Sequence, residues 1–220
     1  MPATAVHGAN MSTASVRAQP STARPSRALR EGKGRSTSRP AFVVDRVPVL
    51  LATRAWAAFT APTPVGLGAI AAVRSGELRF LGEAFDRLSR EYPSTRDGLS
   101  LTQRRVLAAV GDGARDAGTA FVRAAGRETR PFLGDTSCYR MMDGLVRAPL
   151  PLLQADPSDQ PVDRTTRVSL TDTGAQVLAG GLDHVTVNGV DRWIGGTHLL
   201  GGDGLWRWNE GTETLARPSE

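Results

Sequence analysis

The sequence predicts an α+β fold that is mostly helical and ends in a small antiparallel β-hairpin element. Between residues 47 and 150, apolar side chains recur at the three- and four-residue spacing of amphipathic helices. From residue 181 onward the apolar spacing changes to two, and an Asn-Gly pair separates two alternating segments. At 220 residues, the chain has room for one ordinary domain or two small ones.

The segment 47–92 is predicted to form three helices. Apolar residues recur at helical spacing in 52–59 and in 78–92, where Pro93 follows as a terminator. Thr63 and Pro64 predict the start of the middle helix, since Thr caps N-termini and Pro suits a first turn. We therefore treat 47–92 as a helical segment.

Residues 98–180 predict a winged-helix-like domain, because their elements follow the order helix, helix, helix, strand, polar loop, strand, helix. Ser100 and Gln103 form a capping box at the first helix. The stretch SLTDTGAQVL (169–178) resembles the LTxxG strand-to-helix junction that often follows the wing in such regulators. The other predicted elements are helices at 117–125 and 136–147, strands at 150–153 and 167–170, a wing loop at 155–166 and a final helix through Leu178.

Residues 181–208 predict a β-hairpin element that packs on this domain. Asn188 and Gly189 suit a two-residue turn, in which both residues need positive φ. A second hairpin is expected between 197–200 and 205–208, and the last residues, 209–220, are expected to fray. The tryptophans expected at the junction with the domain are Trp193, Trp206 and Trp208.

Basic charge is concentrated at the N-terminus. The whole chain carries +5, but residues 1–40 hold seven of the 27 basic and one of the 22 acidic residues. That leaves 20 basic and 21 acidic residues in 41–220, a net of −1. The body therefore makes no global electrostatic case for nucleic acid, although a local basic patch remains open.

Residues 1–40 predict a disordered basic tail rich in Ser, Arg and Pro. They lack aromatic residues and cannot bury enough apolar surface to offset the entropy of ordering. No apolar run precedes a cleavage signal, and the amphipathic pattern of a transit peptide is missing. We expect either a flexible tail or a stretch translated from a wrongly assigned start codon.

Cysteine usage and hydropathy indicate a cytoplasmic protein. Cys138 is the single cysteine, so no internal disulfide forms. A nucleophilic role at a helix start is conceivable for Cys138, but its apolar neighbours favour a core position. No apolar run reaches the roughly 18 residues that a membrane helix needs, so we expect no membrane association.

Two sets of side chains are candidates for binding. Arg104, Arg105, Arg140 and Arg147 lie on predicted helices of the winged-helix-like domain and are candidates for phosphate contact. Acidic residues in the third helix and in the wing argue against this interface.

The second set lies in the stretch DHVTVNGVDRWIGGTH (183–198). Pairing the strands around the Asn-Gly turn places His184 diagonal to Asp191, roughly 7–8 Å apart, and His198 is a contingent third member. These three residues are candidates for a divalent metal site or a general-base pair. Their spacing matches no standard metal signature, so we favour a hydrogen-bonded hairpin and predict no cofactor.

Several phrases resemble the C-terminal part of a bacterial domain family of unknown function, number eighteen thirty-five. These phrases are AWAAF (55–59), YPSTRDGLSLTQRRVL (92–107), PFLGD (131–135) and the segment from His184 to Leu199. The family's N-terminal half has no counterpart here, which implies a truncated or mis-started member and a protein partner in place of that half. The resemblance implies no reaction, because the family has no established activity.

We therefore expect an uncharacterised bacterial protein that is a non-catalytic binding module, with winged-helix DNA binding as its most concrete form. One alternative is a metal-binding or hydrolytic enzyme fragment that uses His184, Asp191 and His198. The other is a truncated remnant without its own activity.

Overall fold

The computed structural model describes residues 46–202 and 204–217, so the tail predicted at 1–40 lies outside the described residues. These described residues belong to one compact unit. Its helices are α1 (Arg46–Thr60), a 3₁₀ turn (Pro64–Gly66), α2 (Leu67–Ala71), α3 (Leu81–Ser89), α4 (Leu101–Gly111), α5 (Ala117–Ala125), α6 (Asp135–Val146), α7 (Asp172–Leu178) and α8 (His184–Asn188). Its strands are β1 (Leu153–Asp156), β2 (Arg167–Leu170), β3 (Val190–Ile194), β4 (Thr197–Gly201), β5 (Arg207–Asn209) and β6 (Thr214–Ala216). The predicted α+β class, with helices predominating, is confirmed.

In residues 98–180, which we call the α4–α7 unit, side-chain caps begin three of the four helices, namely α4, α5 and α7, whereas Gly134 precedes α6 without one. The predicted capping box of α4 is present: the Ser100 hydroxyl accepts from the Gln103 amide at 3.2 Å, and the Gln103 side chain accepts from the Ser100 amide at 2.8 Å. Thr171 caps α7 by accepting from the Gly174 amide at 2.9 Å. By contrast, Thr63 makes no capping hydrogen bond, and the helix predicted after it is only a 3₁₀ turn followed by α2.

Three extended segments lie side by side in the α4–α7 unit. Strands β1 and β2 are antiparallel. On the other side of β2, the link between α4 and α5 forms a bridge from Asp116 to Arg167. The Val168 amide donates to the Arg115 carbonyl at 3.1 Å, and the Ala117 amide donates to the Thr166 carbonyl at 2.9 Å. The spatial order is therefore link, β2, β1.

Strand β1 begins three residues later than predicted. Residues 150–152 instead turn back onto α6, and the Leu152 amide donates to the Leu145 carbonyl at 3.0 Å. Pro151 explains the shift, because it has no amide hydrogen to donate to a strand partner. The loop between β1 and β2 consequently spans 157–166.

One hydrophobic core fills the α4–α7 unit. Its fully buried members include Leu107, Met142 and Leu153, which come from α4, α6 and β1. Cys138 is also part of this core, 2% exposed, which confirms the core position predicted for it. Burial raises the pKa of its thiol to about 12, with Glu91 and Asp135 adding to the effect, so the thiolate is not accessible at neutral pH.

The predicted hairpin around Asn188-Gly189 is wrong. Residues 184–188 form the helix α8, which Asp183 caps by accepting from the Thr186 amide at 2.9 Å. A two-residue hairpin turn would need positive φ at both central residues, and here only Gly189 has it, at 69°. The turn lies instead at Gly195-Gly196, where β3 and β4 pair as Trp193 with His198 and Ile194 with Thr197.

The second predicted hairpin, between 197–200 and 205–208, is also wrong. Strand β4 is already paired with β3, and β5 pairs with β6. Strand β6 lies within 209–220, the segment expected to fray, and Leu215 on it is aligned with Trp208. A side chain as large as Trp208, which is 6% exposed, is better covered when a further strand pairs with its own strand.

A second core joins the N-terminal helices to the C-terminal strands. It contains Leu67 of α2, Tyr92, Val185 of α8, Leu199 of β4 and Trp208 of β5. Trp208 and the adjacent Trp206 thus pack with the N-terminal helices and not, as predicted, at a junction with the winged-helix-like domain, since this core contains no residue of 98–180. The same expectation fails for Trp193, which is 65% exposed because it points to the opposite face of β3 from the buried Ile194.

Buried ion pairs connect α3 to the α4–α7 unit. The Arg87 guanidinium donates to both Glu128 carboxylate oxygens, at 2.7 and 2.9 Å, and to Glu91 at 2.8 Å. Arg105 pairs with the same Glu128 at 2.5 Å, and Arg192 of β3 reaches Glu91 at 3.4 Å. Two carboxylates therefore bind three arginines that come from different parts of the fold.

Among the described residues, no helix combines the length and the apolar character needed to cross a bilayer.

Candidate functional site

Helix α6, the third helix of the α4–α7 unit, presents three different faces. Cys138, Met142 and Leu145 point into the core. A second side contacts the 157–166 loop: Arg147 donates to the Gln160 carbonyl at 3.0 Å, and Asp143 accepts from the Val162 amide at 3.3 Å. The third side faces the β3–β4 hairpin across an open cleft. The exposed strip in the middle of α6, formed by Ser137, Arg140 and Gly144, lies on this third side.

The 157–166 loop is held by its own hydrogen bonds. The Asp163 carboxylate accepts from the amides of Thr165 and Thr166, at 2.8 and 3.0 Å, and from both hydroxyls. These bonds lower the pKa of Asp163, the Thr165 side chain contributing most. The carboxylate is therefore engaged within the loop.

Arg104 forms ion pairs with carboxylates of the protein itself. Its guanidinium donates to both oxygens of Asp97, at 2.8 and 2.9 Å, and it also pairs with Glu210. Asp97 is fully buried. Burial by itself would lower the pKa of Arg104, but its bonds to Asp97 and Glu210 outweigh burial and raise that pKa. Its role is to join the start of α4 to the C-terminal strands.

Of the other three arginines predicted to contact phosphate, two are also paired. Arg105 pairs with Glu128 in the buried cluster, and Arg147 pairs with Asp143 on its own helix at 2.9 Å. Arg140 is exposed and makes no ion pair or hydrogen bond with the described residues. Glu210, one partner of Arg104, and Glu128, the partner of Arg105, are remote in sequence, which is why sequence reasoning missed these two pairs.

The space between α6 and the β3–β4 hairpin, which we call the α6 cleft, has a volume of about 1110 Å³. One wall is the face of α6 that carries Ser137, Arg140 and Gly144. The facing wall includes Asp191, Trp193 and Leu200 of the hairpin. His184 lies at the end of the cleft.

His184 is held in place by hydrogen bonds within the protein. Its Nδ1 atom lies 3.1 Å from the Asn188 side-chain amide nitrogen, so Nδ1 is the acceptor and the neutral ring carries its proton on Nε2. Asn188 also bonds both the amide and the carbonyl of Leu150, at 2.7 and 3.0 Å. Burial lowers the pKa of His184, with Asp183 and Asp97 opposing the shift and Arg192 adding to it.

Asp191 pairs with His198 and not with His184 as predicted. The His198 Nε2 atom lies 2.8 Å from an Asp191 carboxylate oxygen. The His198 ring stacks on Trp193, with ring centroids 4.4 Å apart and planes 1° from parallel. The changed partner follows from the changed turn, since pairing β3 with β4 brings 191, 193, 198 and 200 to one face. Within residues 46–202 and 204–217, no three His, Cys, Asp or Glu side chains converge as a metal site would require.

Sequence reasoning missed a second concave surface of the α4–α7 unit, with a volume of about 860 Å³. Four arginines border it, namely Arg115, Arg123, Arg164 and Arg167. They belong to the α4–α5 link, α5, the 157–166 loop and β2, and we call this surface the arginine concavity. The only sequence signal for it would have been the pairing of the link with β2, which no local pattern reveals.

Comparison with known proteins found no matching family model, curated protein or solved structure.

Proposed function

We propose that the protein is a non-catalytic binding module whose α4–α7 unit is a winged helix that binds DNA. The observation that carries this proposal is the link–β2–β1 arrangement behind three helices. Pairing of the α4–α5 link with β2 was not part of the sequence prediction, yet it supplies the third extended segment that a winged helix requires. The 157–166 loop then occupies the place of the wing, and α6 that of the helix that enters the major groove.

The exposed strip of α6 supports this assignment. Arg140 lies on it, in the wall of the α6 cleft, without a carboxylate partner among the described residues, and the loop is hydrogen-bonded to a different side of the same helix. A guanidinium in that place suits contact with phosphate or with a guanine edge.

Duplex binding tests the proposal. We expect the chain from Ala41 onward, without the basic tail, to bind a fluorescent mixed-sequence duplex with an affinity that falls as salt rises. Arg140→Ala should weaken binding, whereas Arg54→Ala, which removes an exposed arginine from α1, should not. Thermal unfolding of each variant checks that it is folded. Binding by the tailed chain alone would contradict the proposal.

A second candidate function is favoured by the Asp191–His198 hydrogen bond beside the α6 cleft, which Asp191 lines. A carboxylate that orients an imidazole is the arrangement of a general base, and His198 with Asp191 is also a possible half of a divalent metal site. Zinc titration followed by elemental analysis tests the metal version. The metal hypothesis predicts about one zinc ion per chain in the wild type and none in His198→Ala. Equal zinc contents in the two proteins would contradict it.

A further inference from the structure

The arginine concavity carries positive charge that no carboxylate of the described residues neutralises in an ion pair. Arg115, Arg164 and Arg167 are exposed, and their side chains make no ion pair or hydrogen bond with the described residues. Arg123 donates to the Asp112 carbonyl at 2.9 Å, a bond that leaves its charge unneutralised. This contrasts with Arg104, Arg105 and Arg147, each of which has a carboxylate partner.

The two acidic residues of the concavity are already engaged. Asp116 caps α5, accepting from the Thr119 amide at 2.7 Å and from its hydroxyl at 2.9 Å. These bonds, the one from the amide first, lower the pKa of Asp116, and Arg123 and Arg164 contribute to the shift. Asp135 accepts from the Thr136 amide at 2.7 Å. Four arginines against two carboxylates leave the surface with a net charge of about +2.

Backbone pairing fixes the spacing of the arginines. The Val168 amide donates to the Arg115 carbonyl, and the Gly118 amide donates to the Arg164 carbonyl at 2.9 Å. A Cβ at Gly118 would lie 2.8 Å from the Arg164 side chain, so the glycine permits this close approach. The backbone segments that carry these arginines are therefore hydrogen-bonded to one another. Little backbone entropy is lost when the arginines bind a ligand.

The concavity is wide and open, and its charges border it from four elements instead of converging on one point. This distribution suits an extended polyanion better than a single small anion. Guanidinium groups bind phosphate through two parallel hydrogen bonds. The aromatic side chains present, Phe121 and Tyr139, pack edge to face at 6.0 Å and are partly buried, so they offer no free platform for stacking unpaired bases.

We infer that the arginine concavity binds the sugar–phosphate backbone of duplex DNA, with Arg115, Arg164 and Arg167 each contacting a phosphate. This inference rests on the proposed function. The concavity would bind the duplex through its phosphates and would not contribute to sequence specificity. These contacts lie outside the four arginines that the sequence suggested.

Salt dependence of binding by the full chain tests the inference. Each phosphate contact contributes about −0.9 to the slope of log K against log salt concentration. The variant R115Q/R164Q/R167Q should therefore flatten the slope by about 2.7 and weaken binding to all duplex sequences alike. The matched control, R46Q/R54Q/R79Q, removes the same charge from two exposed arginines of α1 and one in the turn before α3, and it should keep the wild-type slope.

Each result has a defined meaning. A slope equal to that of the control overturns the inference. If Arg140→Gln weakens binding while the triple variant does not, the proposed function stands and this inference fails. If the full chain binds no duplex, both fail. Tighter binding of polyglutamate than of duplex would assign the surface to an acidic protein and also overturn it. If the triple variant is unfolded, R164Q/R167Q replaces it, with an expected change of about 1.8.

Discussion

His184 lies between α8 and the loop at Leu150, with its ring buried and its Nδ1 atom bonded to Asn188. Burial disfavours the imidazolium and lowers the pKa of His184 below its value in the unfolded chain, which is near 6.5. The unfolded chain therefore takes up a proton first as pH falls. The stability due to neutral His184 is complete above about pH 6.5 and is lost below it.

We predict that the free energy of unfolding falls as the pH drops below about 6.5, with a slope of at most about 1.4 kcal/mol per pH unit from this residue. His184→Gln, which keeps an acceptor for Asn188, should flatten the slope in this window. Urea unfolding at several pH values measures it. Equal slopes for the variant and the wild type would show that His184 does not cause the pH dependence.

Individual residues were predictable where their partners are near in sequence. The Ser100–Gln103 box and the Thr171 cap involve residues three apart, and Cys138 was placed in the core by its own helix pattern. The pairs of Arg104 with Asp97 and Glu210 combine a local and a very remote contact, and only the fold brings them together. The candidate site therefore could not be predicted from residue types alone.

At the scale of elements, helix α8 shows why the hairpin prediction failed. The Asn-Gly signal for a turn competed with an N-cap at Asp183, whose carboxylate also accepts from Arg207. Burial would raise the pKa of Asp183, but the bonds from Arg207 and Thr186 lower it, so the cap stays ionised. Arg207 lies 24 residues away, and no window of local sequence contains both residues.

Helix capping provides a prediction at this scale. Ser100→Ala removes a bond that the structure contains and should lower the free energy of unfolding by about 1 kcal/mol. Thr63→Ala is the matched control, because Thr63 also precedes a helical turn but makes no capping bond. Its expected effect is close to zero. Urea unfolding compares the two, and similar losses would mean that the Ser100 cap does not stabilise α4.

In the whole molecule, the buried cluster around Glu128 connects the two cores. Glu128 and Arg87 each expose only 12% of their side chains, so their charges depend on each other for compensation. Burial would raise the pKa of Glu128, but hydrogen bonds from Arg87 and Arg105 lower it. Removing this carboxylate leaves two poorly hydrated guanidinium groups without their partner.

Glu128→Gln should therefore cost about 3–5 kcal/mol of unfolding free energy, the range for breaking a buried ion pair. Glu83→Gln is the control, since Glu83 forms an exposed pair with Arg130 at 2.9 Å. That change should cost at most about 1 kcal/mol. Urea unfolding measures both, and comparable losses would contradict a stabilising role for the cluster.

The architecture was predictable in its class and in the order of elements from α4 to α7, since α4, α5 and α7 have local caps and α6 has its own apolar periodicity. The packing of the N-terminal helices against the C-terminal strands was not predictable. Leu67 and Trp208 share a core although most of the chain separates them, and strand β6 occupies a segment expected to fray. Apolar spacing identifies which residues are buried but not which remote residues bury them.

The turn at Gly195-Gly196 lies against the last residues of α1. The Gly196 amide donates to the Phe59 carbonyl at 2.8 Å, and a Cβ on either glycine would collide with the carbonyl oxygens of Phe59 and Thr60. Because Phe59 precedes Gly196 by more than 130 residues, α1 leaves the ribosome long before the Gly196 amide is available to its last carbonyls. The core of the α4–α7 unit is complete once Leu182 has emerged, whereas the core around Trp208 can close only near the end of translation.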